Sequence, residues 1–395
     1  MKSWCKPLLA AAIAASLLTA CASSDVEEEP ISELTELNAT VFPTISWSAN
    51  VGNGVGAFYS QLQPEVRYGK VFVADRDGLV IAYDESTGEP VWQQDFTKAF
   101  NDKLLVKNKG ARLSAGIVAA RDKIFIGSES GYLGALNAET GAVEWYAETD
   151  GELMSNPTVA EDVVVVNTGS GVLQAFDVDS GESLWRYETS LPALTLRGTG
   201  AASFEAGGFF VGTADGKVAV VVKANGQPAW EQAVFTPKGG NEFTRMADVD
   251  MMPLILGDNL YAVSYNGNLV SMELRSGRVV WARKYSSFKN LASSGLQLYL
   301  VDDHSRVYSV DRRNGLESWG NTELTNRELT APVVFGDFLV VGDFEGYLHF
   351  LDRNDGKIVG RILIDDDGLY SQPVVADDTL YVQGRSGKIA AVTLP

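Results

Sequence analysis

Short runs of β-branched and aromatic residues alternate with polar turns along almost the whole chain. The stretch VFVADRDGLVIAYDESTGEPVW, at 71–92, contains two such runs, with a glycine-containing turn between them and a second one after them. Runs of this length and composition predict β-strands, and Asp-Gly or Thr-Gly between them predicts tight turns. A tryptophan then follows on a third predicted strand. The pattern therefore predicts antiparallel strands joined by short turns.

The same phrase recurs in seven copies at a fixed spacing. A glycine in the first turn (serine in the sixth copy) is followed ten residues later by a second glycine, and tryptophan comes four residues after that. The second glycines are Gly88, Gly141, Gly181, Gly226, Gly277, Gly315 and Gly356. The tryptophans are Trp92, Trp145, Trp185, Trp230, Trp281 and Trp319, with Gly360 in the seventh copy. We interpret the tryptophans as structural residues that pack against the neighbouring repeat; the alternative is a ring of tryptophans that stacks on a ligand.

A fourth strand is predicted before each copy, as in NPTVA at 156–160. Four antiparallel strands every ~40–50 residues is the period of a β-propeller blade. An eighth copy at 380–395 stops before its turn and tryptophan, and the missing strand is supplied by 43–52, which carries Trp47. The chain is therefore predicted to be an all-β protein. Its body, 41–395, is predicted to be an eight-bladed β-propeller of four-stranded blades, closed by an N-terminal strand that completes the last blade.

Residues 1–20 have the pattern of a bacterial lipoprotein signal peptide. Two lysines precede an uncharged apolar run at 7–20, which is too short to span a bilayer. The run ends in Leu-Thr-Ala-Cys, so Cys21 is the predicted lipidation site and the first residue after cleavage. An ordinary secretory signal or an uncleaved anchor is the alternative. Because Ala22 rather than aspartate follows the cysteine, we expect an outer membrane lipoprotein that faces the periplasm.

Residues 21–40 are acidic, polar and poor in aromatic side chains, which is typical of a flexible tether. The whole chain has 51 acidic and 32 basic residues and a net charge of −19. This balance disfavours nucleic acid and anionic lipid as direct partners, so contact with the membrane is expected through the lipid. Because Cys5 lies in the signal and Cys21 would be lipidated, no disulfide, thiolate nucleophile or cysteine-ligated metal is expected in the mature body.

Patterns for catalysis or metal binding are weak. The two histidines, His304 and His349, lie in separate strand phrases and fit neither a catalytic triad nor a zinc site. The acidic turns at 75–78 and 365–368 do not continue as calcium loops. The glycine-rich stretch at 52–56 lacks the following helix that a phosphate-binding loop needs. We therefore expect no catalytic residue, no cofactor and no metal.

The repeat NAETGAVEW, at 137–145, resembles the repeats of quinoprotein dehydrogenases, which bind pyrroloquinoline quinone (PQQ). This resemblance implies an alternative function, a PQQ-dependent oxidoreductase or a ligand-binding periplasmic propeller. Those enzymes add a vicinal cysteine disulfide, a calcium site and a catalytic aspartate, and this chain has no usable cysteine pair. We therefore predict a protein that is not an enzyme.

The lipidated cysteine, the acidic tether and the eight-bladed propeller together resemble the BamB family, lipoproteins of the β-barrel assembly machinery (BAM) in the Gram-negative outer membrane. Two stretches strengthen the resemblance, LPALTLRG at 191–198 and RMADVDMMP at 245–253. In that family the corresponding stretches contact the periplasmic POTRA domains of BamA, the barrel-inserting subunit. The resemblance implies a scaffold that binds BamA within the BAM complex and assists outer membrane protein insertion. Binding of unfolded outer membrane proteins at the blade edges is a further expectation.

Chain geometry predicts that both stretches lie on one face of the disc, because a blade with an even number of strands sends every connection out on the same side. Leu194, Leu196 and Arg197 combine two apolar anchors with a guanidinium, a composition typical of an interface hot spot. Asp248 and Asp250 would point the same way on an extended segment, either to meet a basic partner or to hold Arg197. The alternatives are leucines that pack inside a long connection and aspartates that cap turns.

A third connection on this face is predicted at 98–112. It carries five basic residues in an otherwise acidic protein. A second contact with the partner and a solvated loop are both compatible with this composition.

Overall fold

The computed structural model describes residues 30–96, 111–237 and 240–395. Within these ranges the strands form eight separate four-stranded antiparallel sheets. The predicted eight-bladed propeller of four-stranded blades is confirmed. A short 3-10 helix, Phe243–Arg245, lies in the connection before the fifth blade. None of the helices in these ranges is long and apolar enough to cross a membrane.

The first four blades follow the chain in order. Blade 1 contains β2 (Glu65–Arg67), β3 (Lys70–Ala74), β4 (Leu79–Asp84) and β5 (Pro90–Asp95). Blade 2 contains β6 (Val118–Ala120), β7 (Lys123–Ser128), β8 (Tyr132–Asn137) and β9 (Val143–Glu148). Blade 3 contains β10 (Thr158–Ala160), β11 (Val163–Asn167), β12 (Val172–Asp177) and β13 (Ser183–Glu188). Blade 4 contains β14 (Ser203–Glu205), β15 (Gly208–Gly212), β16 (Lys217–Val222) and β17 (Pro228–Ala233).

The last four blades repeat the arrangement, and the eighth takes its outer strand from the N-terminus. Blade 5 contains β18 (Leu254–Leu256), β19 (Asn259–Val263), β20 (Asn268–Glu273) and β21 (Val279–Lys284). Blade 6 contains β22 (Ala292–Ser294), β23 (Gln297–Val301), β24 (Val307–Asp311) and β25 (Glu317–Asn321). Blade 7 contains β26 (Val333–Phe335), β27 (Phe338–Gly342), β28 (Tyr347–Asp352) and β29 (Ile358–Leu363). Blade 8 contains β30 (Val374–Ala376), β31 (Thr379–Gln383), β32 (Lys388–Thr393) and β1 (Thr44–Asn50).

The ring is closed at both its centre and its rim. First strands of neighbouring blades contact each other, as β2 does with β6, and β30 contacts β2 to complete the circle. At the rim, β1 pairs antiparallel with β32, from Thr44 opposite Thr393 to Asn50 opposite Lys388. The prediction that the N-terminal strand completes the last blade is confirmed. Because the N-terminal strand β1 covers the outer edge of β32, blade 8 has four strands like the other blades.

The alternation of strand directions gives the disc two different faces. The turn face carries the hairpins between first and second strands and between third and fourth strands, such as 85–89. The mouth face carries the hairpins between second and third strands, such as 343–346, and the connections between blades. These connections include 189–202 before blade 4 and 234–253 before blade 5. The two stretches 191–198 and 245–253 therefore lie on the same face. The even number of strands in each blade, which we call strand parity, predicted this.

The repeated tryptophan and glycine form one contact between neighbouring blades. Trp145, on the rim strand of blade 2, donates a 3.1 Å hydrogen bond from Nε1 to the carbonyl of Val178 in a turn of blade 3. Gly181, in the same turn, has a φ of 72°, and a Cβ added to it would lie 2.5 Å from the indole ring. Glycine is thus required by the left-handed backbone and by the close approach of the ring. The same indole bond joins Trp47 to Glu85, Trp92 to Ala138, Trp185 to Lys223, Trp281 to Arg312 and Trp319 to Arg353.

Blade 7 lacks the tryptophan for a structural reason. Blade 8 takes its third and fourth strands from opposite ends of the chain, so no turn between them is present for an indole to cover. Gly360 occupies the position of the tryptophan, and a Cβ on it would lie 2.8 Å from the carbonyl oxygen of Val41. Part of the segment that we assigned to the tether, residues 30–40, follows this blade and hydrogen-bonds to it. The remainder of the predicted tether, 21–29, lies outside the described residues.

Candidate partner-binding site on the mouth face

Asp248 joins the two stretches that we predicted to bind a partner. Its side chain is buried, and Oδ1 accepts a 2.9 Å hydrogen bond from the backbone N–H of Leu196. The other oxygen, Oδ2, is buried with no hydrogen-bond partner among the described residues. Burial raises the pKa of Asp248 above its usual value, although the bond from Leu196 opposes this shift. Asp248 is therefore a positioning residue for the connection 189–202, whereas from the sequence we expected it to meet a basic partner, to hold Arg197 or to cap a turn.

Asp250, two residues further on, reaches the concave centre of the mouth face. It lines three adjoining cavities with volumes of about 500, 430 and 110 Å³. Leu196 and Arg197 line the two larger cavities with it. Burial, together with the charge of Asp248, raises the pKa of Asp250 to about 8. An approaching cation would favour the ionised form of this carboxyl group, which makes it a candidate contact for a basic side chain.

Arg197 is held by acids other than the ones we expected. Its guanidinium lies 3.3 Å from the carboxylate of Glu129 and 4.0 Å from that of Glu152. The arginine remains exposed, while Leu194 and Leu196 are half-buried. The two leucines therefore belong neither to a closed core nor to a fully solvated loop. This connection presents apolar side chains and a cation next to the cavities that Asp250 lines.

Further side chains reach these cavities from connections that the sequence did not single out. Together with Asp250, the second cavity is lined by Tyr59, Phe288, Lys289 and Tyr370. Burial raises the pKa of Tyr59 to about 12 and lowers that of Lys289 to about 8. Strand parity could have placed all four on this face, because each lies in a connection between blades. Their convergence on one cavity depends on loop conformation, for which the sequence carries no signal.

The mouth face also exposes large apolar side chains. On its connections the exposed ones, among the described residues, are Phe58, Leu191, Phe243, Met252, Phe288 and Tyr370. Phe243 is 71% exposed and Phe58 is 59% exposed. Soluble proteins rarely leave this much apolar surface on one face unless it binds a partner. Apolar and aromatic groups beside an arginine are the composition of a protein-docking surface.

Besides the signal peptide at 1–20 and the first part of the tether, two of the predicted sites lie outside the described ranges. These are Cys21, the predicted lipidation site, and most of the basic connection at 98–112, of which 98–110 is not described. In the part of the chain that the structure does describe, no group of three or more His, Cys, Asp or Glu side chains is arranged to hold a metal ion.

Replacing Asp250 by asparagine is expected to stabilise the protein at neutral and alkaline pH. The folded-state pKa of about 8 lies above the ~3.9 of an unfolded aspartate, so folding loses free energy as the pH rises between these values. Asparagine keeps the shape of the side chain and removes this cost. After allowance for solvent screening, we expect a gain of about 1–3 kcal/mol at pH 8 that disappears near pH 4. Urea unfolding at both pH values measures it; an equal gain at both, or the same gain for Asp366→Asn at an exposed site, would contradict it.

Comparison with known proteins identifies the family. A family profile described as outer membrane protein assembly factor BamB matches residues 44–112 and 76–321. The assembly factor BamB of Shewanella oneidensis is 70% identical over 395 residues, which is 100% of both chains. The one from Vibrio cholerae is 42% identical over 394 residues and also covers 100% of both chains. The one from Escherichia coli is 39% identical over 390 residues, 98% of this chain and 99% of the relative.

Solved structures agree with the sequence comparison. The crystal structure of BamB from Moraxella catarrhalis has a TM-score of 0.79 at 26% identity and covers 89% of this chain and 100% of that chain. A europium-containing methanol dehydrogenase has a TM-score of 0.68 at 14% identity over 89% and 93% of the two chains, which shows a shared fold alone. The names of the sequence relatives, assembly factors, agree with the prediction that this protein is not an enzyme. As the resemblance in its sequence predicted, the chain belongs to the BamB family of outer membrane protein assembly factors.

Proposed function

We propose that this protein is a lipid-anchored scaffold of the BAM complex on the periplasmic side of the outer membrane. Residues 1–20 are a signal peptide that is removed, and Cys21 carries the lipid. Residues 21–40 lead to the propeller, and 41–395 form the body that binds partners. The mouth face binds the periplasmic POTRA domains of BamA and so assists the folding and insertion of outer membrane proteins. Membership of the BamB family supports the place in outer membrane protein assembly.

The binding surface is supported by one observation, the convergence of three kinds of group on one concave face. Leu196 supplies apolar surface, Arg197 a cation and Asp250 a carboxyl group at the walls of the same cavities. The pKa of Asp250 is raised by burial and by Asp248, and no hydrogen bond from the described residues lowers it. At neutral pH, the raised pKa of such a buried carboxyl group lowers the free energy of unfolding of the isolated protein. Such a cost is typical of a residue retained for binding rather than for stability.

The proposal is tested by the binding of the full lipidated chain, in detergent, to purified POTRA domains of BamA. Replacing Leu194, Leu196 and Arg197 together by alanine is expected to weaken binding by at least about 30-fold, the ~2 kcal/mol typical of a hot spot. The melting temperature should stay close to that of the wild type. A matched control replaces two exposed leucines and one exposed arginine of the turn face by alanine: Leu296, Leu316 and Arg275.

Unchanged POTRA binding by the mouth-face variant, or an equal loss of binding in the turn-face control, would contradict binding at the mouth face. A variant with a lowered melting temperature would be replaced by Arg197→Gln. The side chain of Arg197 is 59% exposed, so this change removes a charge with little effect on packing and places no second carboxylate beside Glu129. Loss of POTRA binding by this single variant would assign the site by itself.

A second activity, binding of unfolded outer membrane proteins, is supported by the rim of the propeller. Apolar side chains on the rim strands are exposed at Val91, Leu184, Val280 and Leu363. The outer edge of a rim strand can accept an extended chain by β-augmentation, with the apolar side chains as additional contacts. Because the rim and the mouth face are separate surfaces, a urea-unfolded outer membrane protein bound at the rim should not compete with POTRA domains. Competition between the two would place both on the mouth face and contradict binding at the rim.

A further inference from the structure

Residues 32–41 form an extended segment, which we call the strap, along the outer edge of blade 7. Ser32, Leu34, Leu37 and Ala39 are partly buried, while most of the residues between them are exposed. The backbone N–H of Ser32 donates a 3.0 Å hydrogen bond to the carbonyl of Thr325. At the other end, the N–H of Thr40 donates one of 2.9 Å to the carbonyl of Val359. The strap is therefore bonded to the propeller at both ends.

The start of the strap is held by a buried arginine. The side chain of Arg327 is 2% exposed, and its NH1 donates a 2.9 Å hydrogen bond to the carbonyl of Ser32. Its Nε donates a 2.9 Å hydrogen bond to Asp343, which is 0% exposed, and NH2 also contacts Glu345. Leu34 packs on the apolar cluster between blades 6 and 7. A charged group buried in this way is fixed by its partners, so the carbonyl of Ser32 has a prepared binding position.

The middle of the strap is held by the rim strand of blade 7. The NH1 of Arg361 lies 3.3 Å from the carbonyl of Thr35, and its Nε donates a 3.2 Å hydrogen bond to Nδ1 of His349. The corresponding cross-strand pair in blade 3 is Gln174 and Arg186, so the arginine is present in both blades. Blade 7 thus differs from blade 3 where the strap crosses it, with His349 at the position of Gln174 and Gly360 at the position of Trp185.

The strap moves the exit point of the N-terminal segment from one face to the other. Strand β1 begins at Thr44, whose partner Thr393 ends β32, so this end of β1 lies on the turn face. Without the strap, the chain before β1 would leave the propeller there. Thr325 and Arg327 belong to the connection between β25 and β26, which lies on the mouth face. The strap therefore crosses the rim and brings residue 32 to the mouth face.

The strap also limits how far the propeller can lie from its anchor. From Cys21 to Ser32 there are eleven residue steps, which span at most ~36 Å at about 3.3 Å per residue. If the chain were free up to β1, twenty-three steps would span at most ~76 Å. The shorter chain leaves from the face that carries Asp250, so the position of the anchor and that of the candidate binding site are linked.

We propose that the strap orients the propeller on the membrane, with the mouth face towards the lipid bilayer and the turn face towards the periplasm. This inference rests on the proposed lipidation of Cys21. Its consequence is that a partner bound at the mouth face lies between the propeller and the bilayer, close to the membrane surface. The acidic surface of the protein would not produce this orientation by attraction to anionic lipid.

The test uses the full lipidated chain in vesicles of phosphatidylethanolamine and phosphatidylglycerol with a trace of acceptor-labelled lipid. A donor dye is placed on Asp366→Cys, an exposed mouth-face site, or on Asn354→Cys, an exposed turn-face site of blade 7. A six-residue strand separates the two faces by about 20 Å. Energy transfer from position 366 is therefore expected to be at least twofold greater than that from position 354. The double variant Ser32→Pro/Thr40→Pro, which removes one backbone hydrogen bond at each end of the strap, is expected to abolish or reverse this difference.

A matched control places proline at Glu36, an exposed strap residue, and is expected to keep the difference. Equal transfer from the two positions, or greater transfer from position 354, would overturn the proposed orientation. Retention of the difference in the double-proline variant would also overturn it, since the strap would then not determine it. If the wild type is not retained on the vesicles, the proposed lipidation of Cys21 is contradicted instead. This outcome is distinguishable from the others.

Discussion

Replacing Trp145 by alanine is expected to lower the free energy of unfolding by about 3–5 kcal/mol, the usual cost of removing a buried tryptophan. The indole is 8% exposed and fills the seam between blades 2 and 3, where it packs against Phe125 with ring centroids 5.8 Å apart. Its loss leaves a cavity and also removes the hydrogen bond to Val178. The measurement is urea unfolding, monitored by circular dichroism. Leu184→Ala, at a 47% exposed rim position, should change stability by less than about 0.5 kcal/mol and is the control.

The glycine that faces the indole provides a second check on the same contact. Gly181→Ala is expected to cost about 2–4 kcal/mol, because the left-handed backbone disfavours a Cβ and this Cβ would clash with the ring. In the Trp145→Ala background the clash is absent, and the cost should fall to about 1–2 kcal/mol, the backbone term alone. Additive effects in the double variant, or similar effects of Trp145→Ala and Leu184→Ala, would show that indole and glycine do not act as one contact.

The propeller could be predicted from the sequence because its signal is local and repeated. Each blade places its turn glycine and its tryptophan at the same spacing, since each must meet the same partner in the neighbouring blade. The replacement of the tryptophan by Gly360 could also be read from the sequence. The topology of blade 8 explains it, because that blade has no turn for an indole to cover. Closure could be predicted because the last copy lacked a strand that 43–52 could supply.

The candidate site could be predicted only as far as its face. Strand parity places the two stretches on the mouth face, but it does not separate Asp248 from Asp250. These two aspartates differ because one accepts the backbone N–H of Leu196 and the other lines the cavities. Such differences depend on the conformation of two long connections, which carry no periodic pattern. The strap could not be predicted either, because it depends on a contact between Arg327 and Ser32, which are 295 residues apart in the sequence.

Replacing Arg327 by alanine is expected to cost about 3–5 kcal/mol, because it leaves the carboxylate of Asp343 buried without its main countercharge. Both side chains are at most 2% exposed, and their nearest oxygen and nitrogen atoms are 2.7 Å apart. The variant should also release the strap, so that the N–H of Ser32 exchanges faster with solvent in hydrogen-exchange measurements. Arg313→Ala is the control. That arginine is 64% exposed and pairs with Asp311, an arrangement that contributes less than about 1 kcal/mol.

The cost of Arg327→Ala is expected to depend on pH in a defined direction. Arg361 donates to Nδ1 of His349, so the other ring nitrogen, Nε2, donates its hydrogen to Asp343 at 2.9 Å. Burial opposes ionisation of Asp343, but the bonds from His349 and Arg327 outweigh it and lower the pKa of Asp343. A lowered pKa contributes stability above the ~3.9 of an unfolded aspartate, and that stability is lost as the pH falls through the folded-state value. The difference between wild type and variant should therefore be largest near pH 7 and shrink below about pH 4. A constant difference down to pH 3 would mean that Arg327 stabilises the fold through packing and its bond to Ser32, and not through the charge of Asp343.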